Sequence, residues 1–190
     1  MMDNDLESAI GARIKRLRME RGLTLDELAS ASAVSRAMIS RIERAEASPT
    51  ASLLARLCAA LGLSLSTFFA EEEELVSPLA RRDDQPVWRD PETGYVRRAV
   101  SPAGMQSPVD LVEVSFPAGA RVSFPPNTAS RGMSQHVWLF EGEMEMTVGD
   151  TVYRLLPGDC LFMGIGDGHV FHNPGDQPAR YCVVLDRPRS

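Results

Sequence analysis

The feature that most constrains this chain lies in residues 22–49, where two helix-forming segments are joined by almost nothing. Thr24 is placed to cap a first helix, Glu27 three residues on completes a capping box, and Leu25, Leu28 and Ala29 supply one apolar face. Ser35 is placed to cap a second helix. Only Ser32, Ala33 and Val34 separate the two, a turn too tight for antiparallel packing, so the helices must cross steeply and the second must project outward. Ile39 and Ile42, with Val34, form the stripe that this second helix buries. Arg36, Ala37, Ser40, Arg41 and Arg44 fall on its other faces, which are basic and small. Such a face suits the major groove, where arginine donates two hydrogen bonds to guanine and small side chains allow close approach. The residues expected to meet double-stranded DNA are Thr24, Ser35, Arg36, Ala37, Met38, Ser40, Arg41 and Arg44.

A length of 190 residues allows one large domain or two small ones, and the charge distribution favours two. Residues 1–70 carry nine Lys or Arg against eight Asp or Glu; the rest carry eleven against eighteen, so the net charge of −6 is concentrated in the second part. Nucleic-acid binding therefore has to rest on where the positive charge sits, and Arg36, Arg41 and Arg44 sit on one helix. No apolar run is long enough to span a membrane, and Asp3, Asp5 and Glu7 stand where a signal peptide would want positive charge; a cytoplasmic protein is expected. Cys58, Cys160 and Cys182 are odd in number and lack metal-type spacing, which fits a reducing compartment.

Leu6, Ile10, Ile14 and Leu17 recur at helical spacing and predict a first helix over residues 6–20, ending before Gly22. Ser48, Pro49 and Thr50 open a fourth helix carrying Leu53, Leu54, Leu57, Ala60 and Leu61, and Ser64 is placed to cap a short fifth ending in Phe68 and Phe69. Residues 71–86 are charged, proline-marked and without period, and read as a linker. Thereafter the chain predicts short strands over 95–100, 111–116, 121–124, 135–140, 143–148, 151–155, 160–163, 169–172 and 181–185, punctuated by turn residues. Many short strands at regular spacing predict an antiparallel barrel or jelly roll.

Residues 10–69 resemble the helix-turn-helix domain of the phage-repressor or xenobiotic-response-element (XRE) type. That resemblance implies that Arg18 pairs with Glu43. Ala33 and Ala45 depart from it, standing where the family commonly has glycine. Residues 158–173, with Gly158, Gly166, His169 and Asn173, resemble the second signature of the cupins, with Gly164 where that pattern has proline, and Leu139, Gly142 and Gly149 resemble the end of the first. The fold implied is two domains: an all-α five-helix, lambda-repressor-like helix-turn-helix domain over 1–70, the linker 71–86, and an all-β double-stranded β-helix, the cupin jelly roll, over 87–190.

Catalytic cupins commonly hold a metal on two histidines and a glutamate of the first signature and a histidine of the second. Here Gln135 falls at the glutamate place, Ala129 and Arg131 or Thr128 and Ser130 at the histidine places, and only His169 survives. His136 and His172 are out of phase with the inward positions. No metal, no cofactor and no enzymatic activity are expected. Arg121, Arg131, Met133, Gln135, Met144, Met146, His169 and Phe171 are the candidates for a ligand pocket by strand parity. Together the resemblances imply a transcriptional regulator whose barrel senses a small organic effector, and a single short recognition helix implies a homodimer. A metal-dependent cupin enzyme carrying a helical domain, and a ligand-independent regulator whose barrel only dimerises, are the alternatives.

Overall fold

The computed structural model describes residues 2–63, 65–69, 77–105, 107–127 and 131–186. Ser64, residues 71–76 of the expected linker, and Thr128, Ala129 and Ser130 lie outside them, as does the side chain of Leu6.

The first part is helical. Helix α1 (Met2–Glu20) buries Ile10, Ile14 and Leu17, and begins earlier than the hydrophobic period predicts. Gly11 lets it press against the helix that holds Ile42, since a Cβ there would run into the Ile42 carbonyl oxygen. Helix α2 (Leu25–Ser32) has the full capping box, Thr24 Oγ1 accepting from the Glu27 amide at 3.2 Å and Glu27 Oε2 accepting from the Thr24 amide at 2.7 Å. Helix α3 (Arg36–Glu43) is capped by Ser35, whose Oγ accepts from the Met38 amide at 3.2 Å. Helix α4 (Ala51–Ala60) is capped by Thr50 and buries Leu54, Leu57 and Cys58, and a five-residue turn of helix, α5 (Leu65–Phe69), follows.

The turns that close α2 and α3 need left-handed backbone, which Ala33 (φ 54°) and Ala45 (φ 55°) adopt despite their Cβ atoms. The pairing implied for Arg18 is present: its Nε and Nη2 donate to the two carboxylate oxygens of Glu43 at 2.7 and 2.8 Å, and its Nη1 donates to the Leu23 carbonyl at 2.9 Å. The Glu43 side chain at the end of α3 is thereby tied to α1 and to the chain before α2.

The second part is two antiparallel sheets. One has six strands: β1 (Val87–Arg89), β2 (Val96–Ala99), β3 (Val109–Phe116), β10 (Ala179–Asp186), β5 (Ser134–Glu141) and β8 (Cys160–Gly164), in that spatial order. The other has β4 (Arg121–Phe124), β9 (His169–His172), β6 (Met144–Val148) and β7 (Thr151–Leu155). Alternation along β5 turns Gln135, Val137 and Leu139 inward and His136 and Trp138 outward. At Gly142 (φ 78°) the strands come so close that a Cβ would meet the Ala179 Cα at 2.8 Å. Strand β1 has no counterpart among the predicted strands, since three residues beside Pro86 carry too little period; its Trp88 is nevertheless buried.

The helical and β parts pack together. Asp90, buried, accepts at Oδ1 from the Ala51 amide at the start of α4 (2.7 Å), and Asn127 Nδ2 donates to the Leu63 carbonyl (2.9 Å). A line of rings runs from the helices into the β part: Phe68, Phe69, Trp88, Tyr95 and Phe116, with successive centroids 5.4 to 5.6 Å apart. The Arg97 guanidinium lies over the Phe69 ring, 4.8 Å from its centroid. Arg82, within the expected linker, forms part of a short 3-10 turn and donates to Glu113 on β3 at 3.2 Å.

Candidate nucleic-acid interface and barrel cavity

The outward face of α3 is built by its own amphipathic pattern, Ile39 and Ile42 being fully buried. Arg36, Ala37 and Arg41 are exposed, Ser40 is half-buried, and Met38 is half-buried and packs on the core. Thr24 and Ser35 are exposed as well, but their hydroxyls serve as helix caps, so they position α2 and α3 before they can touch a phosphate. The three arginines are not equivalent. Arg36 reaches Asp26 on α2 at 3.3 Å with both side chains largely exposed, and Arg41 touches the Glu46 carbonyl at 3.3 Å. Arg44 is clamped: Nε and Nη2 donate to the two Glu46 carboxylate oxygens, each at 2.8 Å, and Nη1 donates to Ser40 Oγ. The Arg44 hydrogen bond holds the Glu46 carboxyl below the usual range, with the charges of Arg44 and Arg41 adding to it. Glu46 did not stand out in the sequence because its partner is two residues away across a left-handed turn. Binding a phosphate at Arg44 requires displacing that carboxylate; Arg36 and Arg41 make only single, exposed contacts.

Inside the β part lies a cavity of about 110 Å³. Three of the residues expected there line it: Gln135, His169 and Phe171. Arg121 and Arg131 do not; both are exposed, Arg121 because the outward phase of β4 pairs it with His172. Met133, Met144 and Met146 are buried without forming its wall, because they pack into the core instead. The rest of the wall includes Tyr95, Arg97, Phe116 and Tyr181, the β4 end with Phe124, Pro125 and Asn127, Ile165, and two helical residues, Ala55 of α4 and Leu65 of α5. Parity along β2 could have pointed to Arg97; nothing local in the sequence assigns Ala55 or Leu65 to a barrel.

Among the described residues the wall carries no carboxylate. Burial pushes the His169 imidazole down to about 4, so it is neutral near pH 7, and its ring stacks on Phe124 at 5.2 Å. Burial also lowers the Arg97 guanidinium and raises the Tyr95 hydroxyl. Among the described residues, Gln135 Nε2 and His169 Nδ1 are buried without a hydrogen-bond partner. They stand on different sheets and meet the same cavity, so each is a polar atom for which a guest can supply the missing partner. His136 and His172 turn away, the first exposed and against Phe162, the second 3.2 Å from Glu145. Among the described residues no group of three or more His, Cys, Asp or Glu is placed to hold a metal ion. Cys58 is a buried thiol pushed up to about 12, and so unreactive.

A steeply crossed, capped helix pair with a basic outer face, set before a two-sheet β domain, defines a DNA-binding protein of two parts. The family models agree: residues 14–68 match a helix-turn-helix family and residues 112–185 match a cupin domain family. The chain is 27% identical over 189 residues to the HTH-type transcriptional regulator SutR of Escherichia coli, covering all of both chains. It is 26% identical to the regulator PuuR of the same organism, covering 93% of this chain and 92% of that one. A stretch of 74 residues, 39% of the chain, is 36% identical to the uncharacterized HTH-type transcriptional regulator y4dJ of Sinorhizobium fredii, 87% of whose length is covered. The crystal structure of an HTH_3 family transcriptional regulator from Vibrio cholerae superposes with a TM-score of 0.77, at 24% identity, over 98% of this chain and 99% of that one. The chain belongs to the XRE-type helix-turn-helix transcriptional regulators and carries a cupin domain behind its DNA-binding domain.

Proposed function

We propose that this regulator binds DNA as a homodimer under the control of a small organic molecule held in the barrel, a double-stranded β-helix. The observation that carries the reading is the shared wall: Ala55 of α4 and Leu65 of α5 close the same cavity as Gln135 and His169. A guest that fills or stretches the cavity therefore presses on the helices that support α3. Such a guest alters DNA affinity only by the difference in its affinity for the two placements of the helices. Asp90 on the Ala51 amide and Asn127 on the Leu63 carbonyl are the polar ties through which that placement is set.

The barrel acts here as a binding module and not as an enzyme. Of the four ligand places of a catalytic cupin, Gln135 offers a neutral amide and His169 is the one imidazole directed inward, a poor donor set for a divalent metal. The protein works in the cytoplasm, beside its DNA; no helix among the described residues is long and apolar enough to cross a membrane.

The reading is tested on promoter DNA next to the protein's own gene. Salt-dependent binding is expected, and Arg36→Ala combined with Arg41→Ala should weaken it by roughly 3 kcal/mol, on the order of 100-fold, with unchanged thermal stability. Metabolites that raise the melting temperature should shift the DNA dissociation constant. Binders that leave DNA affinity untouched would refute effector control, and undiminished DNA binding by the double variant would refute the assignment of α3.

A further inference from the structure

The outer face of the six-stranded sheet is apolar where a solvated sheet should be polar. The strand register arranges its outward side chains in two rows. Leu111, Val184, His136 and Phe162 are successive partners across β3, β10, β5 and β8. Glu113, Cys182, Trp138 and Cys160 form the neighbouring row across the same strands. Within these rows Phe162 is 61% exposed, Trp138 49% and Leu111 38%. Glu113 is the one carboxylate in the two rows and no lysine or arginine is among them; its charge is met by Arg82, Arg98 and Arg180. A further ion pair, Arg180 with Glu141 at 2.6 Å, borders the patch. An uncharged aromatic centre with paired charges at its border is the anatomy of a protein–protein interface, and contiguous exposed apolar surface of this kind marks an interaction site.

We propose that this face docks a second copy of the chain, sheet against sheet. The inference rests on the paired DNA binding proposed above and names where the pairing occurs. The patch is self-complementary: a two-fold axis through it brings no like charges together at the centre and buries Trp138 and Phe162 of both copies. It also lies clear of the DNA-binding helices. The residues that hold α4 and α5 are on or beside β1, β2 and β4, whereas the patch centres on β5 and β8, at the far end of the strand order. Docking there leaves α3 of each copy free, and two eight-residue recognition helices give the pair of half-sites that one such helix cannot read specifically. DNA itself does not fit the face, which offers no cation at its centre.

The test is the solution mass of the full chain by light scattering or sedimentation. The wild type should run near twice the chain mass of 20.8 kDa. Phe162→Glu and Trp138→Glu, both at exposed positions, should keep the wild-type circular dichroism and raise the dimer dissociation constant about 30-fold or more each. Tyr153→Glu, at an exposed apolar position on β7 away from the rows, should stay dimeric. Should either patch variant misfold, Leu111→Lys at the other end of the first row is expected to give the same dissociation. A monomeric wild type would overturn both the pairing and its site. A dimeric wild type whose patch variants remain dimeric, or are outdone by Tyr153→Glu, would overturn the site while leaving the pairing intact.

Discussion

The helical part and the barrel solve opposite problems. Around its crossed helix pair the helical part satisfies its caps and one of its arginines locally: Thr24, Ser35 and Thr50 cap helices within three residues of themselves, and Arg44 and Glu46 pair across one turn. The barrel instead carries polar groups inward, and two of them, on Gln135 and His169, end without partners. Local satisfaction leaves the groups of that surface already paired within the chain. An unsatisfied interior leaves buried polar atoms at a desolvation cost.

The largest effect that would sharpen this contrast is the pH dependence of the barrel. His169, held down to about 4 by burial, stays neutral in the folded protein while the unfolded chain takes up a proton near the ordinary value of about 6.5. The unfolded state therefore binds more protons between these values, and stability falls as pH drops through that window, by about 3 kcal/mol in full. Denaturant melts at pH 7.5, 5.5 and 4.5 should show the loss, and His169→Gln should remove this contribution; an unchanged slope in that variant would mean that the imidazole is not the source.

A middle-sized effect belongs to the seam between the parts. Asp90→Ala leaves the buried Ala51 amide without an acceptor and frees Thr93, whose amide Asp90 Oδ2 accepts at 2.9 Å. A loss of about 2 kcal/mol is expected from thermal or denaturant unfolding. Hydrogen exchange should rise at the first turn of α4 more than in α2; uniform exchange would show that the tie is not local.

The smallest effect tests the helical turns. Glycine at Ala33 or Ala45 removes the left-handed strain of about 1–2 kcal/mol but restores freedom to the unfolded chain, so each of Ala33→Gly and Ala45→Gly should stabilise by about 0.5 kcal/mol. A destabilised Ala33→Gly would show that the turn is held by the Arg56 contact to the Ala33 carbonyl at 3.1 Å more than by backbone preference.

The helical part was legible because its determinants are local. Capping box, tight turn and buried stripe all fall within a few residues of one another, and the Arg18 to Glu43 pair followed from a resemblance carried by those same features. Strand alternation was legible for the same reason, and it turned His136 and His172 away from the cavity correctly in phase. Parity failed at Met133, Met144 and Met146 because it tells inside from outside, not which inward residues border the void; Arg121 takes the outward phase of β4, and Arg131 precedes β5, where no strand phase applies. The outward rows that place Trp138 beside Cys182 and Cys160 depend on the register of three strands, which no single segment encodes.

The chain by itself determined a capped helix with a basic outer face and a β domain with one inward histidine, since both rest on residues near one another in sequence. Only the tertiary structure decided that Ala55 and Leu65 wall the cavity, that Arg97 reaches Phe69, and that an apolar face lies bare on the six-stranded sheet. Those facts arise where segments far apart in the chain are packed together, and the same packing joins the helical part to the cavity.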